Sequence, residues 1–292
     1  MENIAINNVT ETEDSVKEVN EPSIIKDFFK DEKEQNVKEL AELFGQSETE
    51  LKKEFGSFKA KKIYKKLNYF IDNGCKLKKE LISCLETAVK NEFYGVTIFK
   101  TALPIAKSVL SKTNVKIRVL INYPLGEEDY NTVKFSLKQA VKNGADEIAV
   151  MLSSFTYKNC DLSETIKQVK KLLKIAKKKK LIIVLDSANL SRTDIEKILS
   201  QLISLGVRSI MIANAKSTID RDLLDDAIKV CADKIFLELK DGVLLAEQAI
   251  SSLVSGVDFL TTEFAPEIVN DLSAKISTFE SGCKPLDKTD KE

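Results

Sequence analysis

The chain contains no histidine, and its only arginines are Arg118, Arg192, Arg208 and Arg221. The first absence removes the commonest general base and metal ligand. The second leaves bidentate reading of phosphate or guanine poorly supplied. Lysine plus arginine number 45, as do aspartate plus glutamate, so the net charge is zero. No global field then draws the chain to nucleic acid or to an acidic membrane. Cys75, Cys84, Cys160, Cys231 and Cys283 form no CxxC pair. That spacing suits a reducing cytoplasm and speaks against a disulfide framework or a structural zinc. No apolar run approaches the ~18 residues of a membrane span. The first residues are acidic and polar rather than basic then apolar, so they do not read as a secretory signal.

What is present is a repeat. Apolar runs at Val96–Phe99, Ile117–Ile121, Ile148–Leu152, Leu181–Leu185, Ser209–Ala213, Ile235–Leu239 and Asp258–Thr262 read as strands. Leu67–Asn73 is the weakest strand candidate and stands first by position. Amphipathic stretches near 77–92, 102–111, 127–142, 162–178, 191–204, 219–231 and 243–254 lie between them, and a last helix starts near Pro266. A helix between successive strands, with a short connection on each side, favours parallel pairing. Eight alternations predict an α/β fold, a (β/α)8 TIM barrel, which takes about 250 residues. An open doubly wound sheet is the alternative, and the lack of a glycine-rich phosphate turn weighs against it. The barrel is expected over residues 67–280. Residues 1–22 read as a disordered acidic tail, residues 23–66 as a helical extension, and residues 281–292 as a polar tail. The extension carries Ile24, Ile25, Phe28, Phe29, Val37, Leu40 and Leu43 at helical recurrence. It either packs on the barrel or holds a protein partner.

Asn122-Tyr-Pro-Leu-Gly126, followed by a helix and then Asn143-Gly-Ala-Asp-Glu-Ile148, resembles the deoxyribose-phosphate aldolase family, whose text is roughly FPLG, a helix, then GADEID. The resemblance covers roughly residues 67–270 and is strongest in the third and fourth βα units. It implies cleavage of deoxyribose 5-phosphate to acetaldehyde and glyceraldehyde 3-phosphate through a lysine imine, with a second lysine lowering the first one's pKa and an aspartate moving protons. Laid on this chain, the imine lysine falls on Ile182, the second lysine on Met211 and the aspartate on Ala149. A cysteine usual in the second strand is Thr97. None of these can form an imine or carry a proton at neutral pH. Ala149, Met151, Ile182, Val184, Met211 and Ala213 share inward parity and predict an ordinary apolar barrel interior. The turns that would face a phosphate read Lys240-Asp241-Gly242 and Thr261-Thr-Glu-Phe-Ala265, where Asp241 and Glu263 repel a dianion and Lys240 attracts one.

Three readings stand open. The chain is a catalytically silent relative that keeps the scaffold for binding or assembly. Or it is an aldolase-type lyase acting on a small sugar or aldehyde, phosphorylated or not, with relocated residues. Or it is a working aldolase whose lysines lie elsewhere in the alignment. The candidate pocket is Asn122, Asp186, Lys216, Glu238, Lys240 and Gly242, with Lys100 and Lys158 also near strand ends. An inward Glu238 is expected to pair with a lysine or to hold a raised pKa. The run Lys177–Lys180 reads as a solvated helix end. No metal and no cofactor are expected. The partners left open are a small anionic or sugar-like ligand at the barrel mouth, a homodimer by analogy with the family, and a protein for the N-terminal helices, with no nucleic acid and no membrane.

Overall fold

A computed structural model describes residues 60–159, 162–177, 179–214 and 219–282. Eight strands run in sequence order: β1 (Leu67–Phe70), β2 (Gly95–Phe99), β3 (Lys116–Ile121), β4 (Glu147–Met151), β5 (Lys180–Asp186), β6 (Ser209–Ala213), β7 (Phe236–Lys240) and β8 (Phe259–Thr262). Each pairs in parallel with the next, and Leu67 to Tyr69 of β1 pair with Leu260 to Thr262 of β8, which closes the barrel. Every strand from β4 to β8 is buried along nearly its whole length, as expected of strands covered on both faces. The apolar runs marked each strand to within a residue or so at either end, except the first, which stops at Phe70 instead of Asn73.

The helices lie between: α1 (Lys78–Lys90), α2 (Leu103–Leu110), α3 (Tyr130–Lys142), the short α4 (Ser154–Asn159), α5 (Leu162–Ala176), α6 (Arg192–Ser204), α7 (Arg221–Cys231), α8 (Ala246–Ser255) and α9 (Ala265–Gly282). Side-chain caps fix where several begin. The Asp129 carboxylate accepts from the Asn131 and Thr132 amides, so α3 starts at Tyr130 and leaves Glu127 and Glu128 in the preceding loop. Ser191 and Asp194 close a capping box on α6. The periodicity did not foresee α4, which is too short to show one. No helix among the described residues is long and apolar enough to cross a membrane. The expected tail over 1–22, the extension up to residue 59, and nearly all of the tail over 281–292 lie outside the described residues. Ala60–Lys66 is a 3-10 helix that feeds β1.

The barrel interior has two halves. The half toward the strand C-termini is apolar: Phe70, Leu120, Ala149, Met151, Ile182, Val184, Met211 and Ala213 form one buried cluster. The other half is ionic, which corrects the expectation of an apolar interior throughout. Arg118, fully buried, sends Nε and Nη2 to Glu147 Oε2 at 2.9 and 2.7 Å and Nη1 to Glu238 Oε1. Thr261 donates to the same Glu238 oxygen, Tyr94 donates to Glu147, and with its amide oxygen facing the guanidinium Asn68 accepts from Arg118. The cause is register. Arg118 lies opposite Glu147, and Glu147 opposite Lys180, so charges of alternating sign meet on neighbouring strands. Lys180 is therefore not part of a solvated helix end. Its amine sits 3.3 Å from Glu147 Oε1 and over the rings of Tyr94, Phe236 and Phe259.

Burial by itself would raise the Glu147 pKa, but Arg118 and Lys180 outweigh it and hold the carboxyl at about 2, against an ordinary 4.5. The lowered folded pKa stabilises the fold fully above pH 4.5, and that contribution drains away as pH falls toward 2. A shift of that size is about 3 kcal/mol. Urea unfolding is expected to show the loss between those limits, and Glu147→Gln should flatten the acid limb while lowering stability at pH 7. Arg118→Met, which leaves two buried carboxylates facing no guanidinium, is expected to cost about 3–5 kcal/mol.

Candidate functional site

Barrel active sites lie where strands end and βα loops begin. After β3 the chain turns through Asn122–Gly126, and the Tyr123–Pro124 peptide is cis. Asn122 takes a left-handed backbone (φ 63°), which asparagine tolerates better than most residues. Its side chain ties the loop down: Nδ2 donates to the Met151 carbonyl and Oδ1 accepts from the Glu128 amide, both at 2.9 Å. Gly126 (φ 70°) lies so close to β4 that a Cβ there would come within 2.9 Å of the Leu152 carbonyl oxygen. The loop is thereby fixed, and it aims Tyr123 over the barrel.

The Tyr123 hydroxyl meets Lys240, the last residue of β7. The Lys240 side chain is 1% exposed. Its amine donates to the Tyr123 hydroxyl at 2.8 Å and to Asp241 Oδ1 at 2.5 Å, and Tyr123 in turn donates to Asp241 Oδ2 at 3.0 Å. The amine also lies 4.2 Å from the centre of the Phe70 ring and 4.3 Å from that of Tyr123. Burial pushes the Lys240 pKa down, with Asp241 resisting. Burial and the neighbouring Asp241 push Tyr123 well up, so the phenol stays a proton donor. Asp241 itself has φ 77°. A non-glycine residue in that region costs about 1–3 kcal/mol and persists only where surrounding contacts hold it, here the two bonds of its carboxylate.

Beside Tyr123 a cleft of about 440 Å³ opens between the ends of β2 and β3. Phe99, Leu120 and Tyr123 form its inner wall, and Lys100, Ser136 and Glu127 are among the residues nearer solvent. Tyr123 is the partition between this cleft and Lys240. Among the described residues no three His, Cys, Asp or Glu side chains gather as a metal-ion site.

No protein-family model matches the chain. Curated relatives do. The deoxyribose-phosphate aldolase of Metamycoplasma arthritidis is 25% identical over 193 residues, covering 65% of this chain and 89% of its own length. The Ureaplasma parvum aldolase is 31% identical over 113 residues, 39% of this chain and 53% of its own. These curated relatives are deoxyribose-phosphate aldolases, which is the family the β3 loop and the α3–β4 turn resemble. The solved tetrameric deoxyribose-phosphate aldolase of Aeropyrum pernix shares the fold, with a TM-score of 0.67 at 11% identity over 74% of this chain and 93% of that one.

The positions that the aldolase resemblance singled out scatter in a telling way. Ala149, Ile182 and Met211 come together, all fully buried in the apolar half of the barrel. Lys240 and Gly242 are at the mouth, and Asn122 fixes the β3 loop. Asp186 is nearby but occupied: its carboxylate accepts from the Ala188 amide and from Asn189. Glu238 pairs with an arginine rather than a lysine, one inward position below Lys240, and is no part of the mouth. Lys158 is exposed, with its amine 3.5 Å from Asn189 Oδ1, and Lys216 lies outside the described residues. Thr97 is buried in the barrel wall with its hydroxyl unpartnered. Sequence reasoning missed Tyr123 and treated Asp241 only as a charge that repels phosphate. Their link to Lys240 spans 117 and 118 residues of sequence, and no local pattern signals it.

Asp241→Asn is expected to destabilise the fold by about 1–3 kcal/mol, because it removes the counter-charge of a buried ammonium. Lys240→Met should be nearly neutral, since a methionine fits between the Phe70 and Tyr123 rings. The double variant should recover most of the loss, which a double-mutant cycle in urea would measure.

Proposed function

We propose that this barrel is silent in the reaction of its aldolase relatives and serves to bind a small anionic or sugar-like ligand at its mouth. The observation that carries this reading is the apolar closure around Ala149, Ile182 and Met211. Those positions, which the resemblance assigns to the aspartate, the imine lysine and the second lysine, hold no nucleophile and no titratable group. An amine placed there would have to be desolvated among Leu120, Val184 and Met151 with no partner. The loops after β7 and β8 support the same reading. The Leu244 and Leu245 amides donate to Gln248 Oε1 at 2.8 and 3.1 Å, and the Phe264 amide donates to the Thr262 hydroxyl at 3.1 Å. Three backbone donors of these loops are thus already engaged and not free for a phosphate. The cysteine spacing fits a cytoplasmic protein, and the tetrameric Aeropyrum pernix relative motivates an assembly of identical barrels, in which a homodimer is the minimal unit.

A second reading is favoured by Lys240: an aldolase-type lyase with a relocated amine. Neutral Nζ would add to a carbonyl carbon, and one of its protons would pass through Asp241 to the oxygen, giving a carbinolamine. Tyr123 would then protonate the departing hydroxyl, and the second nitrogen proton would return through Asp241 to Tyr123. Water and an imine result. Burial lowers the Lys240 pKa in the direction this step needs.

One pair of measurements separates the readings. The purified chain is incubated with deoxyribose 5-phosphate and assayed for acetaldehyde release. It is also treated with acetaldehyde and borohydride and weighed intact. The silent reading expects neither turnover nor an adduct above that of surface lysines. A single adduct on Lys240, abolished by Lys240→Met, would replace it with the second reading, and turnover would overturn it outright.

A further inference from the structure

The cleft beside β3 has a polar end that neither reading uses. Lys100, directly after β2, sends its half-buried amine 3.2 Å to the Ser136 hydroxyl on α3, and the amine also sits 5.9 Å from the centre of the Phe135 ring. Ser136 is 9% exposed. Among the described residues no carboxylate pairs with Lys100. The hydroxyl accepts from the amine and so keeps its own proton for an acceptor. The inner wall of the cleft, formed by Phe99, Leu120 and the ring of Tyr123, is apolar. Glu127 and Glu128 line the outer part and are exposed.

A partly desolvated cation with no counter-charge, beside a hydroxyl that can donate, is complementary to an anionic oxygen pair. The two glutamates add a condition. They penalise the second charge of a dianion more than the single charge of a carboxylate. We propose that the cleft binds a small monoanionic carboxylate ligand, with its carboxylate on Lys100 Nζ and Ser136 Oγ and its body along the apolar wall toward Tyr123. The cleft volume lies within the usual range of small-molecule sites. The inference rests on the reading of the mouth as a ligand site and gives that ligand a charge and an orientation. A cleft so charged would disfavour phosphate, in a barrel whose relatives are named for a phosphorylated sugar.

The test is a titration of the ¹⁵N-labelled full chain with sodium acetate and, separately, with inorganic phosphate, followed by amide shifts. Acetate is expected to move amides at 99–101, 122–128 and 135–137. Lys100→Met should weaken acetate by about tenfold or more, Lys100→Arg should retain it, and Ser136→Ala should fall between. Phosphate should bind more weakly than acetate and gain when Glu127 and Glu128 are both changed to Gln. An absence of shifts with acetate, shifts that survive Lys100→Met in a folded variant, or tighter binding of phosphate would overturn the proposal. Turnover of deoxyribose 5-phosphate sinks the silent reading whatever acetate does, so the two can fail separately.

Discussion

A guanidinium sealed inside the barrel sets the terms for the rest of the molecule. Arg118 has no solvent, and among the described residues its charge is met by Glu147 and Glu238. Taking three charged groups out of water is costly, and only close geometry with added hydrogen bonds offsets it. Tyr94, Thr261 and Asn68 supply those bonds. The network therefore fixes β1, β3, β4, β7 and β8 relative to one another from within. A slip of β3 by one residue would drive Arg118 out among the helices and strand both carboxylates. The other half of the interior is left to the apolar cluster, which has no comparable demand on register.

Lys240 is the counterpart at the opposite end. It is buried as deeply as Arg118, but it is held by a half-exposed carboxylate and a loop tyrosine instead of two inward glutamates. Its partners belong to βα loops, which can vary without disturbing the strand ladder. The difference in setting separates the two buried cations in role. Arg118 is part of what keeps the barrel closed, whereas Lys240 is held by groups at the mouth, with Tyr123 shared between it and the neighbouring cleft. The left-handed backbone of Asp241, held by its bonds to Lys240 and Tyr123, marks the same spot as one under local constraint.

Likeness to aldolases and an apolar interior at Ala149, Ile182 and Met211 are compatible, because a fold and a site are separable. The scaffold depends on strand parity, helix caps and the ionic lower half, none of which requires Ala149, Ile182 or Met211 to be charged. Once those positions are apolar, the interior above Arg118 closes on itself, and the polar chemistry that remains on the C-terminal face is found at Lys240 and in the cleft beside it.

The sequence by itself determined the architecture. Runs of apolar residues separated by amphipathic stretches state a period, and period is local, so all eight strands and the helices longer than two turns could be read from it. The inward face of the apolar cluster was legible for the same reason, since strand parity assigns it without knowing what lies across the barrel. Tertiary structure alone decided which inward groups meet. Arg118 and Glu238 are 120 residues apart, and Tyr123 and Lys240 are 117 apart. Their pairing depends on barrel closure and on a loop pinned by Asn122, neither of which leaves a pattern in neighbouring residues. For that reason an interior expected to be apolar proved half ionic, and Lys180, read as a solvated helix end, proved to be the first residue of a buried strand.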